Sequence, residues 1–77
     1  MQKCNIGINT PYIPMDKLLK LANIASSGGE AHILITEGYV QLDGIIISEK
    51  RKKVYPGSVV IVDNKYTITV FEEHENQ

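Results

Sequence analysis

Residues 15–44 read MDKLLKLANIASSGGEAHILITEGYVQLDG, and their changing period decides the fold. Met15, Leu18, Leu19 and Ala22 recur at the i, i+3, i+4, i+7 spacing of a helix with one buried face. Asp16, Lys17, Lys20 and Asn23 fall on the opposite side of that wheel, and Lys17 and Lys20 are i, i+3 neighbours there. The run Ser26-Ser27-Gly28-Gly29-Glu30 ends this helix and starts another. Ser27 with Glu30 three residues on is a capping box: the hydroxyl accepts the N3 amide while the carboxylate reaches back to the cap. Ala31, Leu34 and Ile35 repeat the helical spacing over about 10 residues, and Gly38 stands where a left-handed stop is wanted. From Tyr39 the period is two. Asp43-Gly44 supplies the positive backbone angles of a tight hairpin turn, which pairs Leu42 with Ile45 and Val40 with Ile47 on one apolar face. Tyr39, Gln41, Ile46 and Ser48 share the other.

The flanks extend this pattern. Ile6 and Ile8 alternate within residues 5–9, a short strand, and Thr10-Pro11 and Ile13-Pro14 interrupt regular structure. After the hairpin, Tyr55-Pro56-Gly57-Ser58 is a turn. Val59 to Val62 and Tyr66 to Phe71 are two further strands around Asp63-Asn64. The expected common face takes Val59, Ile61, Tyr66, Ile68 and Val70, which leaves Val60 and Val62 on the outer face with Tyr39 and Ile46. The order is strand, helix, helix, meander. The predicted architecture is α+β, with two short helices packed on a small twisted, mainly antiparallel sheet. Residues 1–71 form the expected single domain and 72–77 an acidic, disordered tail.

Composition narrows the function. The chain has 77 residues with 43% hydrophobic and 22% charged, enough for one modest core. Its formal net charge of -1 argues against nucleic acid on its face. The tail, however, carries Glu72, Glu73 and Glu75, and residues 1–71 hold 8 basic against 6 acidic side chains. Half of the basic residues form one run: Lys50, Arg51, Lys52, Lys53. A lone Cys4 permits neither an intrachain disulfide nor a cysteine-rich zinc site, so a reducing cytoplasm is the expected location. No apolar run approaches the length of a membrane span or a signal peptide. His32 and His74 lack a metal-ligand pattern or a partnering nucleophile, and the glycines match neither a dinucleotide fingerprint nor a P-loop. No catalytic group, metal or cofactor is assigned.

The start of the second helix is the chemically informative point. Free amides at Gly28 and Gly29 and the helix dipole favour an anion, and small residues admit a close approach. Lys17 and Lys20 come from the preceding helix, and His32 lies one turn into the second. A basic face drawn from several elements is the electrostatic footprint of a nucleic-acid site. The same residues have simpler readings: a solvated helix face for the lysines, an edge guard for the basic run, a tight turn for the glycines.

The stretch from Met15 to Gly44 resembles the RNA-binding domain of the ribosomal small-subunit protein four type, the alpha-L RNA-binding motif. The later KKVYPGSVVIVD, residues 52–63, resembles the small stand-alone, YaaA-like members. The resemblance covers about residues 13–63. It implies a non-catalytic module whose two helices and hairpin grip structured RNA, often ribosomal. Lys17, Lys20, Ser27, Gly28 and Gly29 match the family's RNA-facing positions, and Lys52 and Lys53 match the paired lysines after the hairpin. Together with His32, Lys50 and Arg51 they form the expected RNA-binding set.

The departures from the pattern bear on that expectation. His32 stands where relatives carry Lys or Arg, Asp43 replaces the turn Asn, and Ser58 replaces Asp. Glu49 replaces a basic residue while Arg51 replaces a glycine, which shifts the basic run. Ile46 stands where relatives are polar, and with Tyr39 it defines the alternative: a protein-interaction module or homodimer using the outer sheet face, with RNA binding weakened or lost.

Overall fold

The structure, a computed structural model, describes residues 2–73. Strand β1 (Gln2–Ile8) leads to a short β2 (Ile13–Pro14) and directly into helix α1 (Met15–Leu21). Helix α2 (Gly28–Thr36) follows, and then β3 (Val40–Leu42), β4 (Ile45–Ile46), β5 (Lys53–Val54), β6 (Val59–Val62) and β7 (Tyr66–Glu72).

The local signals account for the helix ends. Asn23 takes a left-handed φ of 60° just past α1, with Asn23 N–H bonded to Lys20 and Ile24 N–H to Leu19. This Schellman stop ends α1 earlier than the serine-glycine run, so Asn23 lies beyond the helix. Gly38, φ 84°, performs the same closure for α2, with Gly38 N–H on Ile35 and Tyr39 N–H on Leu34. Ser27 caps α2 by accepting Glu30 N–H at 3.2 Å. The Glu30 carboxylate reaches one residue further back than a simple capping box, onto Ser26 N–H and Ser26 Oγ.

Five strands form one mixed sheet in the order β1-β7-β6-β3-β4, and β2 and β5 form a second, two-stranded sheet. Pairing is antiparallel except between β1 and β7, which run parallel. The Asp43-Gly44 hairpin has the expected register, Leu42 opposite Ile45, and Ile47 N–H reaches Val40. The strands do not simply meander. β6 joins β3 on the edge away from β4, and the chain between them crosses to give β5 to β2.

The face assigned to β6 is reversed from the sequence expectation. Val60 pairs with Ile68 and Val62 with Tyr66, so Val60 and Val62 are buried while Val59 and Ile61 turn outward. Three residues, Asp63 to Lys65, connect the strands, with Asp63 and Asn64 both left-handed, and this sets even-numbered positions opposite one another. Val60 and Val62 therefore take no part in an outer apolar patch.

The core joins Leu18, Leu19 and Met15 of α1 and Ala31 and Ile35 of α2 to Val40, Val54, Val60, Val62, Ile68 and Val70. Truncating a fully buried leucine such as Leu18 to alanine is expected to cost about 2–5 kcal/mol. At the C-terminal end β7 continues through Glu72, opposite Ile8, and Glu73 N–H bonds Ile8 C=O at 2.8 Å. Glu72 thus belongs to the sheet rather than to a loose tail; residues 74–77, with His74 and Glu75, lie outside the described residues.

Candidate nucleic-acid interface

Asp16 organises this region. Sequence periodicity put it on the solvent side of α1, yet it is only 8% exposed. Its Oδ1 accepts the Lys17 N–H at 2.9 Å, and its Oδ2 lies 3.0 Å from His32 Nε2 and 3.8 Å from Arg51 Nη1. Burial raises the carboxyl pKa, but the bonds from His32 and from Lys17 N–H, with the Arg51 and His32 charges, outweigh it and hold the group below its usual range. An ionised carboxylate only accepts, so His32 Nε2 carries the proton of that bond.

The consequence is geometric. Lys20 follows Asp16 by one helical turn, and Gly28 and Gly29 precede His32 by one turn. The Asp16–His32 bond therefore joins two helix stripes, one carrying Lys20 and the other ending in the open first turn of α2. Arg51 brings in the basic run, and Met15 N–H bonds Lys52 C=O at 2.8 Å, which fixes the run against the start of α1.

Each sequence-predicted residue can be placed on this frame. Lys17, Lys20, Lys50, Arg51 and Lys53 are exposed and Lys52 is half-buried. Lys53 lies in β5, opposite Pro14, rather than in a free loop. Its Nζ stands 5.0 Å from the centre of the Tyr12 ring. His32 is half-buried and already engaged by Asp16. Ser27 spends its hydroxyl on the α2 cap. Gly28 and Gly29 have no positive φ, and a Cβ at Gly28 would meet nothing within 4 Å, at Gly29 only Ser27 Oγ at 3.9 Å. A tight-turn requirement therefore does not explain them. Among the described residues, nothing accepts a hydrogen bond from either amide.

Two depressions flank the β2–β5 ladder. One, about 460 Å³, is lined by Asp43, Glu49, Arg51, Lys52, Lys53 and Tyr55, with Leu42 and Ser58. The other, about 400 Å³, includes Tyr12, Lys17, Leu21 and Glu73. Sequence reading missed Asp16, Tyr12, Tyr55 and Glu73 in this setting.

The S4 domain family model matches residues 6–70. The chain belongs to the S4 domain family. YbcJ of Escherichia coli (strain K12) is 40% identical over 50 residues, covering 65% of this chain and 71% of YbcJ, and YbcJ of Shigella flexneri matches to the same extent. The solution structure of E. coli YbcJ, described as revealing an alpha-L motif involved in RNA binding, superposes with a TM-score of 0.65 at 32% identity. That match covers 92% of this chain and 87% of YbcJ. The two-helix layer on a mixed, mostly antiparallel sheet is the alpha-L fold expected from the motif. No helix of the described residues is long and apolar enough to cross a membrane.

Proposed function

We propose that this S4-domain chain is a non-catalytic RNA-binding protein of the cytoplasm, and that its target is structured ribosomal RNA or a ribosome precursor. The observation that carries the reading is the meeting at Asp16 of three elements. These are the α1 stripe with Lys20, the α2 stripe ending in the sterically open Gly28-Gly29 turn, and the run containing Arg51. Free N–H groups and a helix dipole suit a phosphate, and glycines let the nucleic-acid backbone come close. Lys17, Lys20, Lys50, Arg51, Lys52 and Lys53 supply charge, and the relative's alpha-L motif involved in RNA binding supports the assignment.

Docking of this kind is led by phosphates and by the shape of folded RNA, so weak sequence preference is expected. His32 acts by holding Asp16 rather than as a bare phosphate contact. Ser27 positions the amides it leaves open. Crosslinking in cells followed by sequencing of the bound RNA tests the proposal. Enrichment of ribosomal RNA or its precursors is the expected result. Enrichment spread evenly over transcripts contradicts the ribosomal target, and no enriched RNA contradicts RNA binding.

One observation favours a second reading, self-association through the outer sheet face. Tyr39 and Ile46 are 48% and 61% exposed, and Ile46 lies opposite Gln41 and next to Gly38. Ile45, paired with Leu42, is 68% exposed on the opposite face, where the sequence pattern expected it to be covered. Light scattering on the wild type and on Ile46→Asp separates the readings: a dimer that disappears in the variant supports the homodimer, and monomers in both reject it.

A further inference from the structure

Tyr12 and Tyr55 form an exposed aromatic pair on the β2–β5 ladder. Ile13 pairs with Val54, and both point into the core, so period-two alternation turns Tyr12 and Tyr55 outward on the same side. Their ring centres are 6.0 Å apart at an interplanar angle of 52°. Tyr12 is 37% and Tyr55 51% exposed. Such a pair stabilises a short ladder by itself, but that role does not require open ring surface, and it does not explain the charge around it.

The surroundings are specific. Lys53 Nζ lies over the Tyr12 ring, 5.0 Å from its centre. Tyr55 shares its depression with Arg51 and Lys52, and Tyr12 shares the other with Lys17. Aromatic faces beside cations are what an unstacked nucleotide needs: the base lies on a ring while a lysine or arginine holds its phosphate. The depression beside Tyr55 also contains Asp43 and Glu49. Asp43 Oδ1 accepts the Val59 N–H at 2.9 Å. The two carboxylates disfavour a row of phosphates at that point. They suit a base edge, whose amino groups donate to such acceptors.

We infer that Tyr55, backed by Tyr12 and flanked by Lys53 and Lys52, is a stacking site for a single unpaired nucleotide of the bound RNA. The inference rests on the RNA-binding reading and deepens it. The phosphate-led surface would grip the folded part, and the tyrosine pair would select RNAs that present a bulged or looped-out base beside it.

The experiment compares two hairpin RNAs of equal charge, one perfectly paired and one with a single-nucleotide bulge, on the wild type, Tyr55→Leu and Tyr55→Phe. Leucine keeps an apolar side chain on the ladder, and circular dichroism checks the fold of each variant. The expected result is that Tyr55→Leu weakens binding of the bulged RNA about fivefold or more and leaves the paired hairpin unchanged, with Tyr55→Phe close to wild type. A 2-aminopurine at the bulge should lose fluorescence on binding the wild type and keep it with Tyr55→Leu. Equal effects of Tyr55→Leu on both RNAs, or none on either, overturn the stacking site while salt-sensitive binding upholds the RNA reading. No binding of either RNA by the wild type overturns both.

Discussion

Asp16 Oδ2 and His32 Nε2 are 3.0 Å apart, a hydrogen bond that ties the first turn of α1 to the second turn of α2. Arg51 Nη1 stands 3.8 Å from the same oxygen. One carboxylate thus sets the relative position of both helices and of the basic run, and a change at this point is expected to be felt in stability and in binding.

Asp16→Asn gives the first expectation. The folded carboxyl titrates below its ordinary value of 3.8. A depressed acid adds stability that is fully present above the unfolded-state value and is lost as pH falls through the folded-state value. Wild type should exceed Asp16→Asn in stability at neutral pH, and the gap should close only as pH falls below about 3.8. Urea melts at pH 7 and at decreasing acid pH measure it. A gap that does not change with pH would rule out the ionised Asp16 as its source.

His32→Ala and Arg51→Ala should separate two roles. The Arg51 side chain is 72% exposed and its ion pair is long, so its removal is expected to cost well under about 1 kcal/mol of stability. His32→Ala leaves a largely buried carboxylate with one bond fewer and should cost about 1–3 kcal/mol. RNA affinity should fall with both, and only Arg51→Ala should flatten its salt dependence directly. Thermal melts beside binding isotherms at several salt concentrations test the contrast.

Gly28→Ala and Gly29→Ala are expected to leave the fold intact or slightly stabilise it. Nothing obstructs a Cβ at Gly28, and alanine is the better helix former. If the backbone of RNA approaches this turn, the same methyl groups should weaken its binding. Unchanged stability with unchanged affinity would mean that RNA does not approach α2 at its first turn.

Ser27→Ala removes the acceptor of the Glu30 amide, 3.2 Å away. Removing an N-cap costs about 1 kcal/mol, readable as a lower urea midpoint. Ser27→Asp should recover stability because it caps equally well, while its extra charge at the anion site should weaken RNA binding. A drop in affinity in Ser27→Ala far beyond its drop in stability would give the hydroxyl a direct contact instead.

Local chemistry made much of this fold legible. Gly38, the Asp43-Gly44 turn and the Ser27 cap each act within four residues, and their geometry follows from the residues themselves. The parallel pairing of β1 with β7 and the short β2–β5 ladder join distant segments and leave no local period to read. The face of β6 was reversed because parity passes through a three-residue connection, where one residue inverts every side chain. At the candidate site, the lysines and glycines were visible as a pattern. Asp16 was not: helical spacing placed it outward, and its burial is offset by the adjacent Lys17 N–H together with His32 and Arg51, which are brought from other elements. Tyr12 and Tyr55 meet for the same kind of reason, across a ladder that sequence spacing does not announce.

The salt dependence of RNA affinity tests the central claim most directly. A folded RNA hairpin is titrated with wild type and with Lys52→Ala/Lys53→Ala across a range of salt concentrations. Every phosphate that the variant no longer neutralises should reduce the slope of log K against log salt by about 0.7–0.9. The double variant is therefore expected to bind more weakly at low salt and to show a distinctly shallower slope. Affinity and slope identical to wild type, or wild-type binding that does not respond to salt, would contradict phosphate-led docking on this surface.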